Sequence, residues 1–196
     1  MTAQAGRVLI ERGRIADRVR ELGAKLTNDL RIDAAPHDTP GGPLGDAAYS
    51  EDEVVLIPVM LGAIVFAADL IRAMPLRMSI KPLVASSYAG ATTRSSGMVH
   101  TGDIPEGLEG RHVVIVDDIL DTGRTLAVIR DRVLEQNPAS LRICVLLRKL
   151  KPRDAEVEAH YAGFDIPDEF VVGYGLDYDG LMRNLPDIVV LDGAGE

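Results

Sequence analysis

The sequence predicts an α/β fold in which helices cover both faces of a parallel sheet, and three observations lead to this prediction. Short apolar segments that suit strands alternate along the chain with segments whose apolar residues recur at helical spacing. The strand segments are apolar throughout rather than at every second position, which is typical of parallel strands buried on both faces. The 196 residues, of which 46% are hydrophobic and 26% charged, suffice for a sizeable core. We therefore predict a single domain over residues 1–196.

The first predicted element is an amphipathic helix over 11–29. Its apolar residues follow spacings of four, three and four, which places them on one helical face; they are Ile15, Val19, Leu22 and Leu26. The next segment, 33–48, contains three prolines and three glycines and has no periodicity. We interpret 33–48 as a surface loop insertion.

Strands and helices then alternate along the chain. Apolar or extended segments predict strands at 54–59, 81–88, 112–118 and 141–147. Helical spacing predicts helices at 62–74 and 124–137, which Pro75 and Pro138 would end.

After Lys149 the chain becomes polar before two further strand candidates appear. The segment 169–180 suits a late strand with a loop, and 187–192 suits a terminal strand.

Composition narrows the class of partner. A net charge of −9 disfavours a nucleic-acid or anionic-membrane surface, because either partner would be repelled over most of the exterior. The N-terminal segment lacks the apolar stretch of a signal peptide, and no run approaches the roughly 18 apolar residues that span a bilayer. The single cysteine, Cys144, lies in an apolar strand segment and is interpreted as a buried thiol. We predict a cytoplasmic protein.

The segment 113–125, VVIVDDILDTGRT, is the strongest candidate for a binding site. Ligands of open parallel sheets bind beyond the carboxyl ends of strands, and Asp117 and Asp118 would emerge there. Two adjacent carboxylates are costly to bury unless hydroxyl donors or a cation satisfy them. A ribose diol with magnesium nearby would meet that need.

The turn after these carboxylates suits a phosphate. Gly123 allows a close backbone approach just before a helix, whose free amides and dipole favour an anion. Thr122 and Thr125 add hydroxyl donors. The chain has neither a GxxxxGK[ST] nor a GxGxxG pattern, which disfavours ATP and NAD. The alternative is that Asp121 or Thr122 merely caps the helix.

The whole of 113–125 resembles the 5-phosphoribosyl 1-pyrophosphate (PRPP) signature of type I phosphoribosyltransferases. The segment 164–191, FDIPDEFVVGYGLDYDGLMRNLPDIVVL, resembles the base-recognition region of the hypoxanthine-guanine members. The resemblance, which covers about 54–191, implies their fold: a parallel sheet flanked by helices, with a small hood formed by the N- and C-terminal segments. On that basis 150–196 would contribute to the base-binding hood.

The resemblance also implies a reaction. PRPP and Mg²⁺ would convert hypoxanthine or guanine into the nucleoside 5′-monophosphate and pyrophosphate, in a homodimer or homotetramer. Xanthine as the preferred base is one alternative. A regulatory protein that uses this fold to bind nucleotides or RNA is another, although the composition offers no basic face.

The donor-site roles follow from matching positions. Asp117 and Asp118 would hold the ribose hydroxyls and, with Asp177, lie at the metal. Asp121 would act as acid or base at the purine N7. Arg183 would contact pyrophosphate. The residues that would wrap the 5′-phosphate are Asp121, Thr122, Gly123, Arg124 and Thr125.

The turn after the first predicted strand departs from the family pattern. Leu61 stands where a lysine is usual, so a side-chain ammonium is lost there. We expect the pyrophosphate contact to survive through the Gly62 backbone. A non-proline cis bond is hypothesised between Leu61 and Gly62.

The acceptor-site roles are implied in the same way. Lys149 would donate to the purine O6, Phe170 would stack on the base, the Val171 backbone would meet the base edge, and Asp177 would lie beside them. A lysine donor favours a 6-oxo over a 6-amino group. Taken singly, Lys149 would suit a solvated charge, Phe170 a core residue and Arg183 a surface ion pair.

Ser87 and Tyr88 resemble the start of the family's mobile active-site loop, expected here over 88–99. Its glycines and hydroxyl residues suit motion, and a closed lid would keep water from the reacting carbon. The alternative is an exposed hairpin tip without effect on the chemistry.

Overall fold

The computed structural model describes residues 4–33, 53–87 and 99–192. The predicted surface loop at 33–48 and the predicted mobile loop at 88–99, with Tyr88, lie outside these residues. The exceptions are Asp33, which ends a helix, and Val99, which begins a strand. For Ser87, the last residue of another strand, only the backbone is described.

A mostly parallel sheet forms the centre of the molecule, as predicted. Its strands are β2 (Val54–Met60), β3 (Ser79–Ile80), β4 (Leu83–Ser87), β5 (Val99–Thr101), β6 (His112–Leu120), β7 (Ser140–Lys149) and β8 (Tyr161–Ile166). The order is β5-β4-β2-β6-β7-β8, with the short β3 also beside β2. Only the β4–β5 pairing in this sheet is antiparallel, among the described residues. The order places β2, β6 and β7 side by side.

Helices cover both faces of this sheet, which confirms the predicted class. They are α1 (Arg12–Asp33), α2 (Ile64–Arg72) and α3 (Arg124–Leu134). Alternate residues of β6 face opposite sides: Val114 belongs to the core cluster that contains the apolar residues of α1 and α2, and Val113 to the cluster that contains those of α3. None of the described helices is both long and apolar enough to cross a membrane.

A second, three-stranded antiparallel sheet joins the two ends of the chain. It consists of β1 (Gln4–Ile10), β10 (Ile188–Asp192) and β9 (Val171–Val172), in that order. Its apolar residues Val172, Val189 and Leu191 form a small cluster of their own. The segments expected to form a hood therefore do pair with each other.

Several element boundaries differ from the prediction. The strand predicted at 81–88 begins only at Leu83, after Pro82, which has no N–H to donate to a strand ladder. The helix predicted to reach Pro138 ends at Leu134. The strands β1, β3, β5 and β8 were not predicted.

Candidate active site

The two adjacent aspartates lie in the second half of β6, in the middle of the parallel sheet. Asp117 pairs with Val145 of β7, and β6 continues to Leu120, so the expectation that both carboxylates emerge at the strand end is wrong. The side chain of Asp117 is buried, with 8% of the residue exposed. The Asp118 backbone N–H donates to Asp117 Oδ1 at 3.0 Å.

Burial dominates the electrostatics of this pair. Loss of solvent raises the pKa of Asp117 well above its usual range, and the neighbouring charge of Asp118 raises it further. Burial also raises the pKa of Asp118, while the positive charge of Arg183 opposes that rise. The pair therefore favours a partner that supplies hydroxyl donors or positive charge.

The turn after β2 packs directly on these carboxylates. A Cβ added to Gly62 would collide with the carboxylate of Asp118, so a side chain at this position would displace that carboxylate. The cis peptide bond joins Met60 to Leu61, one bond earlier than hypothesised, and the hypothesis of a cis Leu61–Gly62 bond is wrong. Leu61, which stands where the family resemblance implies a lysine, is 59% exposed.

The loop after β9 approaches this turn closely. Gly175, with φ of +104°, lies so near the Gly62 carbonyl that a Cβ would collide with it. Both a positive φ and a close approach therefore require glycine at this position. The contact joins the end of β2 to the C-terminal part of the chain.

Arg183 and Asp177 form an ion pair within the same loop. Arg183 donates from Nη1 to the Gly175 carbonyl at 2.7 Å, and its Nη2 lies 2.8 Å from Asp177 Oδ1. Asp177 Oδ2 accepts from the Gly180 N–H at 2.7 Å. Because Arg183 also acts on the pKa of Asp118, the pair belongs to the Asp118 side of the site.

The predicted phosphate turn precedes α3, which begins at Arg124. Gly123 occupies the N-cap position with φ of +82°, and no side chain caps the helix, which disfavours the capping alternative for Asp121 and Thr122. The Thr122 carbonyl instead accepts from the Asp154 N–H at 3.0 Å. Arg124 Nε pairs with Asp154 Oδ2 at 3.0 Å. Asp154 thus stabilises the turn through Thr122 and Arg124, while no side chain caps the start of α3.

Lys149, the last residue of β7, is buried, with 8% of the residue exposed. Its Nζ lies 3.1 Å from Asp121 Oδ2 and 3.0 Å from Asp168 Oδ1. The interpretation of Lys149 as a solvated charge is therefore wrong. The predicted acid/base carboxylate and the predicted O6 donor lie next to each other.

An aromatic pair stands near this end of the site. Phe170 is 41% exposed, so the alternative of a plain core residue is wrong. Its ring meets that of Tyr178 edge to face, with centroids 5.8 Å apart. Val171 is buried in β9 and pairs with Val190. Phe170 therefore keeps an accessible ring while its backbone neighbour is anchored in the second sheet.

Sequence reasoning missed four residues that the structure adds to the site: Lys151, Asp154, Asp168 and Tyr178. Asp168 and Tyr178 lie within the segment 164–191, but no spacing rule assigns them a partner. Lys151 follows Lys149 by two positions, which was the one available signal.

Three comparisons relate the chain to known proteins. The family model for the phosphoribosyl transferase domain matches residues 44–179. A hypoxanthine-guanine phosphoribosyltransferase of Mycobacterium avium is 41% identical over 186 residues, which cover 94% of this chain and 85% of the relative. A hypoxanthine phosphoribosyltransferase of Haemophilus influenzae is 38% identical, over 91% of this chain and 90% of the relative.

Solved structures agree with these relatives. A hypoxanthine phosphoribosyltransferase from Staphylococcus aureus matches with a TM-score of 0.78 and 38% identity, over 95% of this chain and 91% of that one. A variant of the hypoxanthine phosphoribosyltransferase from Trypanosoma cruzi, in complex with its product IMP, matches with a TM-score of 0.82 and 34% identity, over 97% and 93% of the two chains.

Proposed function

Since the chain belongs to the phosphoribosyltransferase family, in its hypoxanthine-guanine group, we propose that it transfers the 5-phosphoribosyl group of PRPP to hypoxanthine or guanine. The products are IMP or GMP and pyrophosphate, a reaction of purine salvage. The distance of 3.1 Å between Asp121 and Lys149 is the observation that carries the proposal. A 6-oxopurine presents N7 and O6 side by side on one edge, and these two side chains are spaced to meet both.

The proton and the bonds balance in one transfer. The base N9 forms the bond to C1′ of the ribose while the bond from C1′ to the pyrophosphate oxygen breaks. The proton that leaves N7 passes to the carboxylate of Asp121. Lys149 has donors and no acceptor, so it stabilises the O6 oxygen and discriminates against a 6-amino group.

The donor half of the site would hold PRPP. Asp117 and Asp118 would accept hydrogen bonds from the ribose hydroxyls, which would satisfy the buried pair. The turn 121–125 would bind the 5′-phosphate through its amides and hydroxyls. Gly62 and Arg183 would contact pyrophosphate, Gly62 through its backbone.

The residues present also fit a magnesium ion held largely by substrate. Among the described residues, no group of three or more His, Cys, Asp or Glu side chains is arranged to hold a metal. Asp117, Asp118 and Asp177 would be its nearest carboxylates, either directly or through water. Bound Mg²⁺ would offset the charge of the leaving pyrophosphate.

Other parts of the proposal rest on the family resemblance alone. The sheet β1-β10-β9 and the rest of 150–196 would form the hood over the base, and 88–99 the lid. A homodimer or homotetramer and a cytoplasmic location stay predictions. Phe170 would stack on the base, with the Val171 backbone at its edge.

The function is tested by supplying PRPP and Mg²⁺ with each base in turn and measuring nucleotide formation. We expect hypoxanthine and guanine to react and adenine not to. Asp121→Asn should lower kcat by about 100-fold or more, since it removes the proton acceptor. Asp131→Asn, on the exposed side of α3, is the matched control and should leave turnover unchanged.

Three outcomes would revise the proposal. Absence of nucleotide with every base would refute it. Undiminished turnover of Asp121→Asn would remove that residue from the acid/base role. A preference for xanthine in competition with the other bases would move the acceptor assignment to that base.

A further inference from the structure

A second lysine completes an ion-pair group at the base end of the site. Lys151 Nζ lies 3.0 Å from Asp168 Oδ1, the oxygen that also meets Lys149, and it forms an ion pair with Asp121 Oδ1. Each of the two lysines therefore contacts both carboxylates. With two positive and two negative charges, the group is neutral.

The strand end explains why both lysines reach the same carboxylates. Residues two apart in an extended chain point to the same side, and Lys149 and Lys151 have this spacing. Leu150, between them, donates its backbone N–H to the Ile166 carbonyl at 2.9 Å, which extends the β7–β8 pairing past the strand end.

Binding of a base disturbs this group. On the proposed function, Lys149 must turn part of its hydrogen-bonding capacity to O6, and Asp121 must meet N7. Lys149 is the buried charge of the group, so it is costly to leave without a partner, whereas Asp121 and Asp168 are partly exposed. Without Lys151, both Asp121 and Asp168 would depend on Lys149, and any movement of Lys149 toward the base would leave them unpaired.

Lys151 keeps its positive charge in this group. Burial lowers its pKa, but hydrogen bonds to Asp121 and Asp168 outweigh this effect, and the pKa is raised. The pKa of Asp168 is lowered by its hydrogen bonds with Lys149 and then Lys151. Exposure of the side chains rises from 9% for Lys149 and 22% for Lys151 to 39% for Asp121 and 51% for Asp168.

We propose that Lys151 is a positioning residue for base binding: it holds Asp168 and Asp121 while Lys149 and Asp121 engage the purine. Lys151 does not touch the reacting atoms. This inference rests on the proposed function and adds to it a residue that acts through Asp121 and Lys149.

The test compares the kinetics of Lys151→Met and Lys151→Arg with the wild type. Lys151→Met keeps the length of the side chain and removes its charge; we expect kcat/KM for hypoxanthine to fall about tenfold, with KM for PRPP within about twofold. Lys151→Arg restores the charge and should recover most of the loss. Lys81→Met is the control, because Lys81 precedes β4 at its amino end and donates to the Glu106 carbonyl, away from the base end of the site.

A double variant provides a second test, and Asp168→Asn alone keeps the inference testable should Lys151→Met fold poorly. Asp168→Asn alters an exposed residue and leaves two cations for one carboxylate, so it should also lower kcat/KM for the base. Combining it with Lys151→Met leaves the neutral pair of Lys149 and Asp121. The double variant should therefore lose less than the product of the two single effects.

The outcomes separate this inference from the proposed function. If the wild type forms no nucleotide, the function itself fails. If the wild type is active, each of four results would overturn the positioning role. The first two are an unchanged kcat/KM for hypoxanthine in Lys151→Met and an equal rise in KM for hypoxanthine and for PRPP. The others are no recovery of kcat/KM in Lys151→Arg and effects that simply multiply in the double variant.

Discussion

Individual residues of the site are held in positions that favour binding over stability. Asp117 and Asp118 are neighbours in a buried strand, where desolvation raises the pKa of both carboxyl groups. A strand in this position would be more stable with neutral side chains. On the proposed function, both aspartates would serve as acceptors for the ribose hydroxyls, which accounts for their presence in a buried strand.

Asp117→Asn should therefore stabilise the ligand-free protein. Because the pKa of Asp117 is raised in the folded state, its protonated form favours folding at low pH. This stabilisation is lost as pH rises through the folded pKa. The ionised wild-type pair therefore destabilises the fold most near neutral pH. We expect a gain on the order of 1–2 kcal/mol near pH 7, or about 2–8 °C in Tm. Thermal unfolding without ligand measures it, at several pH values above 3.8, the ordinary pKa of an aspartate.

On the proposed function, the same variant should also bind PRPP more weakly, because Asp117 would be one of the two acceptors for the ribose hydroxyls. Asp131→Asn serves as the exposed control for both measurements. A Tm that is equal to or below that of the wild type over the whole pH range would contradict the stability argument.

The elements differ in how far the sequence predicts them. The continuous apolar runs of β2, β6 and β7 predict a buried parallel sheet, and the helix after Gly123 follows from its periodicity. The strand β8 was missed because its six residues include a glycine and an aspartate and form no continuous apolar run. The group formed by Lys149, Lys151, Asp121 and Asp168 was missed because its contacts join three separate segments, which no local pattern encodes.

Asp187 links the start of α1 to the C-terminal sheet, and its removal tests that link. Asp187 Oδ1 accepts from the Arg12 N–H at 2.7 Å, and its carboxylate also meets the Arg12 guanidinium. These hydrogen bonds, from the backbone first and then the side chain of Arg12, lower the pKa of Asp187. Asp187→Asn should lower Tm at neutral pH.

The pH dependence of the Tm difference tests whether the ionised Asp187 carboxylate is the cause. Because the pKa of Asp187 is lower in the folded than in the unfolded state, the ionised carboxylate stabilises the protein at pH values above its unfolded pKa. This stabilisation is lost as pH falls through the folded pKa. The Tm difference between wild type and Asp187→Asn should therefore shrink below the ordinary pKa of 3.8. Asp103→Asn, at an exposed loop position, should show no such difference. A pH-independent deficit would count against this explanation.

The whole molecule is organised around a sheet whose centre is closed to solvent. Cys144 lies in β7, paired with Val116 of β6 and Tyr161 of β8, and is fully buried. Burial raises the pKa of its thiol, which keeps it protonated and unreactive. Because Cys144 is the one cysteine of the chain, the reaction of a thiol reagent with the protein reports only on the opening of this central sheet.

Labelling of Cys144 by a disulfide reagent should therefore follow unfolding of the whole domain. The native protein should react slowly, and the protein in denaturant should react with one thiol per chain. PRPP with Mg²⁺ binds only the folded state on the proposed function, so at about 100 times its Kd it should slow labelling by about 100-fold when refolding is faster than labelling. A labelling rate that ligand leaves unchanged would show that the sheet opens locally around Cys144, with the PRPP site still intact.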